Sequence, residues 1–169
     1  MATNAANIRI GAAVVYVDTY VSSGTAVTTP TDVGHHKVPV EIATNVETIK
    51  IEGERSTYPI QISPTTGSAT IKFVMQEITA ANLATFLQGT TSGTGVNMGE
   101  AQLTYKQIKI VQPQTSASTH TWTFWRCVVS GKEPLKIGKN EEQALSVTFE
   151  ALYDDSVSTA DKLGKLVLS

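Results

Sequence analysis

The stretch Ser68–Gly89, SATIKFVMQEITAANLATFLQG, changes its hydrophobic period partway. That change constrains the fold more than any other feature of the chain. Ala69, Ile71, Phe73 and Met75 are apolar, and Ser68, Thr70, Lys72 and Gln76 between or beside them are polar. A period of two describes a strand with one buried face. Thr79 then offers a side-chain oxygen to the orphan N–H of Ala81 or Asn82, as an N-cap does. Leu83, Phe86 and Leu87 follow at helical spacing. Ile78 and Leu83 stand where a hydrophobic staple forms, and Gly89 supplies a residue that accepts positive φ just past the helix end. Strand patterns lie on both sides, so one helix packs across a mostly antiparallel β-structure.

Ahead of that unit, Met1–Asn7 read as a loose arm and Ile8–Asp18 as a strand, with Ile8, Ile10, Ala12, Val14 and Tyr16 on one face. Val15 and Val17 make the other face apolar too, as in a strand covered on both sides. Thr19–Pro39 is a low-complexity loop of a length that is usually functional or disordered. Val21, Val27, Val33 and Val38 are apolar anchors along it, suiting an arm that orders against another subunit. Val40–Gly53 is a strand, Glu54–Ser56 a turn and Thr57–Ser63 a short strand with Pro59 at an edge. Ser63-Pro64-Thr65-Thr66-Gly67 carries strong turn chemistry.

Beyond the helix, Thr90–Gly99 reads as a loop. Ala101–Gln112 is a strand whose apolar phase switches from Leu103 and Tyr105 to Ile108 and Ile110, which places a bulge near Lys106 or Gln107. Pro113–Ser118 is a loop. Thr119–Ser130 is a strand with Trp122 and Trp125 on opposite faces, Lys132–Ile137 a short strand broken by Pro134, and Gly138–Glu142 a charged turn. Gln143–Tyr153 alternates most clearly, with Leu145, Val147, Phe149, Ala151 and Tyr153 facing one way. The tail Lys162–Leu168 either pairs as a last strand or docks on a neighbour. The 169 residues suit one domain, 1–169, with an extended loop at 19–39 and a C-terminal arm at 154–169.

Composition narrows the function classes. Net charge is −2, without the basic excess that drives tight nucleic-acid binding by counterion release. Charged residues make up 17% of the chain, below the roughly 25% of ordinary soluble domains. That deficit fits a surface partly buried in an assembly, and it fits ordinary β-protein composition equally well. No apolar run reaches the roughly 20 residues that span a bilayer. The N-terminus lacks a basic region ahead of its apolar part, so no secretory signal is expected.

No catalytic constellation emerges. Asp32, His35 and His36 are possible metal ligands, but adjacent side chains on an extended backbone diverge. Cys127 lies mid-strand between Trp125 and Val129, where a buried structural thiol is expected. Glu141-Glu142 and Asp154-Asp155 are paired acids in turns. Gly89, Gly93, Gly95 and Gly99 follow a helix instead of leading one, so they do not cradle phosphate. Trp122, Phe124 and Trp125 could stack bases or sugars, although core or interface packing is the better reading of aromatics on an alternating strand. Phe73, Phe86, Trp122, Trp125 and Phe149 are therefore the candidate core or interface aromatics. No cofactor or metal is expected, and the chain is not expected to be an enzyme.

Three segments together resemble the major tail tube protein of long, non-contractile-tailed (siphovirus-type) bacteriophages. They are IRIGAAVVYV (Ile8–Val17), DVGHHKVPVEI (Asp32–Ile42), with its Gly-His-x-Lys step, and ALSVTFEALYDD (Ala144–Asp155). The strand-then-helix unit ending in NLATFLQG fits as well. His36 and Val38 depart from the pattern, where the family carries smaller residues.

The resemblance implies an antiparallel β-sandwich or small barrel with one flanking helix. It implies a structural virion protein that assembles in the host cytoplasm as hexameric rings, with subunit sheets joined at their edges. Ring stacking is a heterologous contact that propagates a helical filament, and DNA is ejected through its lumen. Implied partners are other copies of the chain, the tape measure, tail terminator and distal tail proteins, and DNA in passage, with no membrane binding by the subunit. The candidate ring-stacking arm is Val21, Val27, Asp32, Val33, His35, His36 and Lys37. The candidate lumen-facing residues are Glu47, Lys50 and Glu52. Two other readings stand beside this one: a neck or decoration protein forming closed rings, and a carbohydrate-binding β-sandwich using Trp122 or Trp125.

Overall fold

The two alternating segments lie side by side in one sheet and turn the same face to the core. Ile71, Phe73 and Met75 pair with Phe149, Val147 and Leu145 on antiparallel neighbours, and all six are buried. The Phe73 and Phe149 rings stack at 5.7 Å between centroids. Burying an aromatic or aliphatic side chain of this size contributes about 1.5–3 kcal/mol, so this strand pair anchors the domain.

The computed structural model describes residues 13–22, 24–25, 27, 30–52, 59–98, 104–113, 119–136, 143–157 and 161–168. The strands are β1 (Val14–Thr19), β2 (His36–Glu52), β3 (Pro59–Met75), β4 (Thr90–Ser92), β5 (Gly95–Asn97), β6 (Lys106–Pro113), β7 (Thr119–Lys132), β8 (Leu145–Leu152) and β9 (Lys165–Leu168). Helix α1 is Ala80–Leu87. One antiparallel sheet runs β1-β6-β7-β8-β3-β2, with β9 also paired to β7, and β4-β5 form a separate small hairpin. The large sheet curls into a half-barrel, so the chain is mainly β with one helix, as expected.

The helix begins as its sequence indicates. Thr79 Oγ1 accepts the Asn82 N–H at 3.1 Å. Buried Asn82 does more, donating from Nδ2 to the carbonyls of Val33 (2.8 Å) and Glu77 (2.9 Å). At the other end Gln88, not Gly89, takes the left-handed conformation, at φ 58°. Gly89 serves close approach instead, since a Cβ there would stand 2.5 Å from the Asn97 carbonyl oxygen of the hairpin.

A register irregularity does fall beside Lys106 and Gln107, but it is not a bulge of β6. Lys106 pairs with Cys127 and Ile108 with Phe124, so one residue of β6 faces two of β7. The extra residue therefore belongs to β7, and Phe124 and Cys127, three apart, both enter the core. In β1 the core side chain is Val15, with Val17 packed beside it, instead of the Val14 and Tyr16 face.

Four local expectations are corrected. Ser63–Gly67 is not a turn: β3 runs unbroken through it, and Glu47↔Thr66 is followed by Thr48↔Pro64, which leaves Thr65 as a bulge. Below Ala69, β3 has no partner on its other edge among the described residues, so Pro64 and Pro59 forfeit little ladder bonding there. Thr90–Gly99 contains the β4-β5 hairpin, turned at Gly93 with φ 58°. Lys132 ends β7, and residues 133–136 form no strand. Thr19–Pro39 gives up its last four residues to β2. The expectations for residues 1–12, 53–58, 114–118 and 137–142 lie outside the described residues.

Candidate assembly surface

The loop after β1 is tied to its own subunit. Val17 N–H donates to Thr31 O (3.0 Å) and Val33 N–H to Val15 O (3.0 Å), so residues 31–33 run along the outer edge of β1. Asp18 accepts the Thr31 N–H on both oxygens (3.0 and 3.2 Å). Buried Gln107 acts like a backbone partner, accepting from Val27 N–H (2.9 Å) and donating to Thr25 O (3.0 Å). The seven arm candidates thus separate. Val33 is a core residue at 2% exposure, whereas Val21 is 45% exposed. Val27 is held by Gln107, and Asp32 caps the N–H of Gly34 at 2.8 Å. The His35 N–H donates to Glu77 Oε1 at 3.1 Å, while His36 and Lys37 open β2 opposite Met75 and Val74.

The C-terminal arm is tied down too. β8 and β9 lie along the same edge of β7, and the chain between them leaves the sheet and returns. Trp125 Nε1 donates to Asp161 O at 2.9 Å. Asp154, 2% exposed, accepts from Tyr20 Oη (3.0 Å) and from the Ser156 N–H (3.0 Å) and hydroxyl (2.6 Å). The Arg126 guanidinium lies 4.0 Å over the Tyr105 ring, close to this cluster. Burial raises the Asp154 pKa, but the bonds from Ser156 and Tyr20 and the Arg126 charge outweigh it and hold the carboxyl below its usual range.

A carboxyl depressed on folding stabilises fully above its unfolded pKa of about 3.9 and loses that contribution as pH falls through its folded value. Asp154→Asn is expected to cost about 1–3 kcal/mol at neutral pH. It is also expected to flatten the fall in stability below about pH 4. Urea unfolding across pH checks both, and parallel curves for variant and wild type would contradict them.

The ribbon formed by the far halves of β2 and β3 pairs with no other strand among the described residues. β3 pairs with β8 only from Ala69 to Met75, while its pairing with β2 continues from Ser68 to Pro59. Residues 45–52 and 59–68 therefore project from the sheet as two strands, about 25 Å long. Positions 43–50 are all exposed, including Val46 at 60% and Ile49 at 55%.

Glu47, Lys50 and Glu52 all belong to this ribbon. Strand alternation places Glu47 with Glu41, Ala43 and Asn45 on the polar face of the sheet, and Lys50 on the opposite face with Ile42. The three do not form one wall, and the side chain of Glu52 lies outside the described residues. The polar face continues through Thr70, Lys72, Thr148 and Glu150. Lys72 pairs with Glu133 at 3.2 Å, and this ion pair, chiefly its hydrogen bond, lowers the exposed Glu133 carboxyl's pKa.

Phe73, Phe86 and Phe149 are core residues. Trp125 is buried on the other face, beneath the C-terminal arm. Trp122 is half-buried and borders a groove of about 250 Å3 with Ala13, Val40, Ile42, Ile110 and Gln112. Burial pushes the Cys127 thiol well up, which removes it as a nucleophile near neutral pH. Among the described residues no three His, Cys, Asp or Glu side chains are grouped to hold a metal, and no helix is long and apolar enough to cross a membrane.

No protein-family model matches the chain, and no curated protein is similar to it. Among solved structures, one chain of the anti-feeding prophage baseplate, determined by cryo-EM with six-fold symmetry, is similar to it. The match covers 99% of this chain and 97% of that one, at 13% identity and a TM-score of 0.48. Similarity at that level carries no functional assignment.

Proposed function

We propose that this chain is a structural protein of a phage-type tail that assembles with copies of itself into the tube. Its subunits would form rings, six-fold by the tail tube resemblance, and the rings would stack around a lumen that passes DNA. The observation that carries the reading is the ribbon of β2 and β3. An isolated two-stranded ribbon is marginal in water, and this one exposes Val46 and Ile49 on opposite faces. Such an element gains stability when another surface covers it. A heterologous contact of a protruding ribbon with the next copy closes into a ring or propagates as a filament, according to the rotation that it imposes.

Two further features support the reading. The low charged fraction suits a surface that assembly buries. The polar face of the sheet mixes Glu41, Lys72, Thr148 and Glu150, so it offers no continuous basic track to hold DNA back. Sedimentation velocity on the purified protein tests the proposal. Polymer that sediments rapidly and grows with concentration is expected, and a single slow species at every concentration would overturn it.

A further inference from the structure

The C-terminal arm returns to the sheet as β9, yet β9 itself is weakly held. It is four residues long, all four are exposed, and it pairs only with β7 among the described residues. A segment with so little buried apolar surface opens at low cost. The residues ahead of β9 are bonded more densely. The Asp154 N–H donates to Lys162 O (3.1 Å), and the Val157 N–H donates to Asp154 O (3.3 Å). The Trp125 indole holds Asp161 O. Gly164 then lies so close to β7 that a Cβ there would stand 2.6 Å from Thr123 O.

This arm is fastened from outside itself, by the loop after β1. Tyr20 donates its hydroxyl to Asp154 and its N–H to Tyr105 O at 3.2 Å. The Tyr20 ring meets the Tyr105 ring edge-on at 6.2 Å, and Arg126 lies over Tyr105. Tyr20 is thus held in place before it reaches the arm. Further along the same loop Gly24 backs onto Val157, where a Cβ would stand 3.1 Å from each methyl carbon. Loop and arm therefore meet at two points, Tyr20 with Asp154 and Gly24 with Val157.

We propose that the C-terminal arm is a strap that opens and closes on the sheet as one unit, with its catch at Tyr20 and Gly24 in the loop after β1. Opening bares buried Trp125 and the edge of β7 at His120–Thr123. An uncovered strand edge is a template for pairing with another chain, so the closed strap guards the free subunit. The inference stands apart from the tube reading, because it concerns one subunit alone.

Hydrogen exchange of the full chain, at a dilution where it sediments as a single subunit, tests it. Tyr20→Phe removes one hydroxyl at the catch, and Trp125→Phe removes one bond nearer β9. Each variant should speed exchange roughly 10-fold both at Ser156 and Val157 and at β9. The core strands Ala69–Met75 and Leu145–Ala151 should keep wild-type rates. Acceleration that is absent, that stays at the end where the bond was removed, or that spreads equally through the core strands would overturn the inference.

Discussion

Replacing Val46–Gly67 by Asn-Gly, so that Asn45 turns directly into Ser68, is expected to leave a folded subunit that makes no tubes. Asn45 and Ser68 already face each other across the ladder, and an Asn-Gly pair suits a two-residue hairpin turn. The excised strands do not pair with β8, and the β3 members of the described core begin at Ala69. The melting temperature should therefore stay within about 3 °C of wild type. Assembly should be lost, because the deletion removes both Val46 and Ile49, the most exposed apolar side chains of the ribbon among the described residues. Circular dichroism and electron microscopy of the same sample separate the two effects. Normal tubes would show that the ribbon is not an assembly element, and an unfolded variant would show that it belongs to the folding unit.

The largest loss of stability is expected at the opposite end of β3. Phe149 is fully buried, pairs with Ile71 across the ladder and stacks on Phe73. Phe149→Ala leaves a cavity between the two strands that anchor the half-barrel, at a cost of about 3–5 kcal/mol. For a domain of this size the melting temperature should fall by about 10 °C or more. Denaturant unfolding of the subunit measures this without interference from assembly. A loss below about 1 kcal/mol would mean that the core does not depend on this pair.

The core was legible because period-two alternation is a local signal. Ala69–Met75 and Leu145–Ala151 announce their buried faces in their own residue order, and Thr79 announces its helix. The turn expected at Ser63–Gly67 failed because turn propensity is also local, while β3 tolerates Pro64 where it has no second neighbour among the described residues. The loop after β1 suits an arm that orders against another subunit on its local sequence, because its anchors within its own subunit are distant: Gln107 is 80 residues from Val27, and Asp154 is 134 from Tyr20. Nothing near a lone glutamine or aspartate shows which backbone it will bind.

Gln107 did carry one signal, as a polar residue beside the phase switch among the isoleucines of β6. The divergence of Glu47 and Lys50 was legible as well, since positions three apart on a strand face opposite ways. The ribbon itself was hidden by the false turn, which divided one 17-residue strand into two short pieces.

Negative-stain electron microscopy of the purified protein over a concentration series tests the central claim most directly. The account predicts hollow filaments of stacked rings that lengthen with concentration. Particles that remain single subunits throughout the series would contradict it.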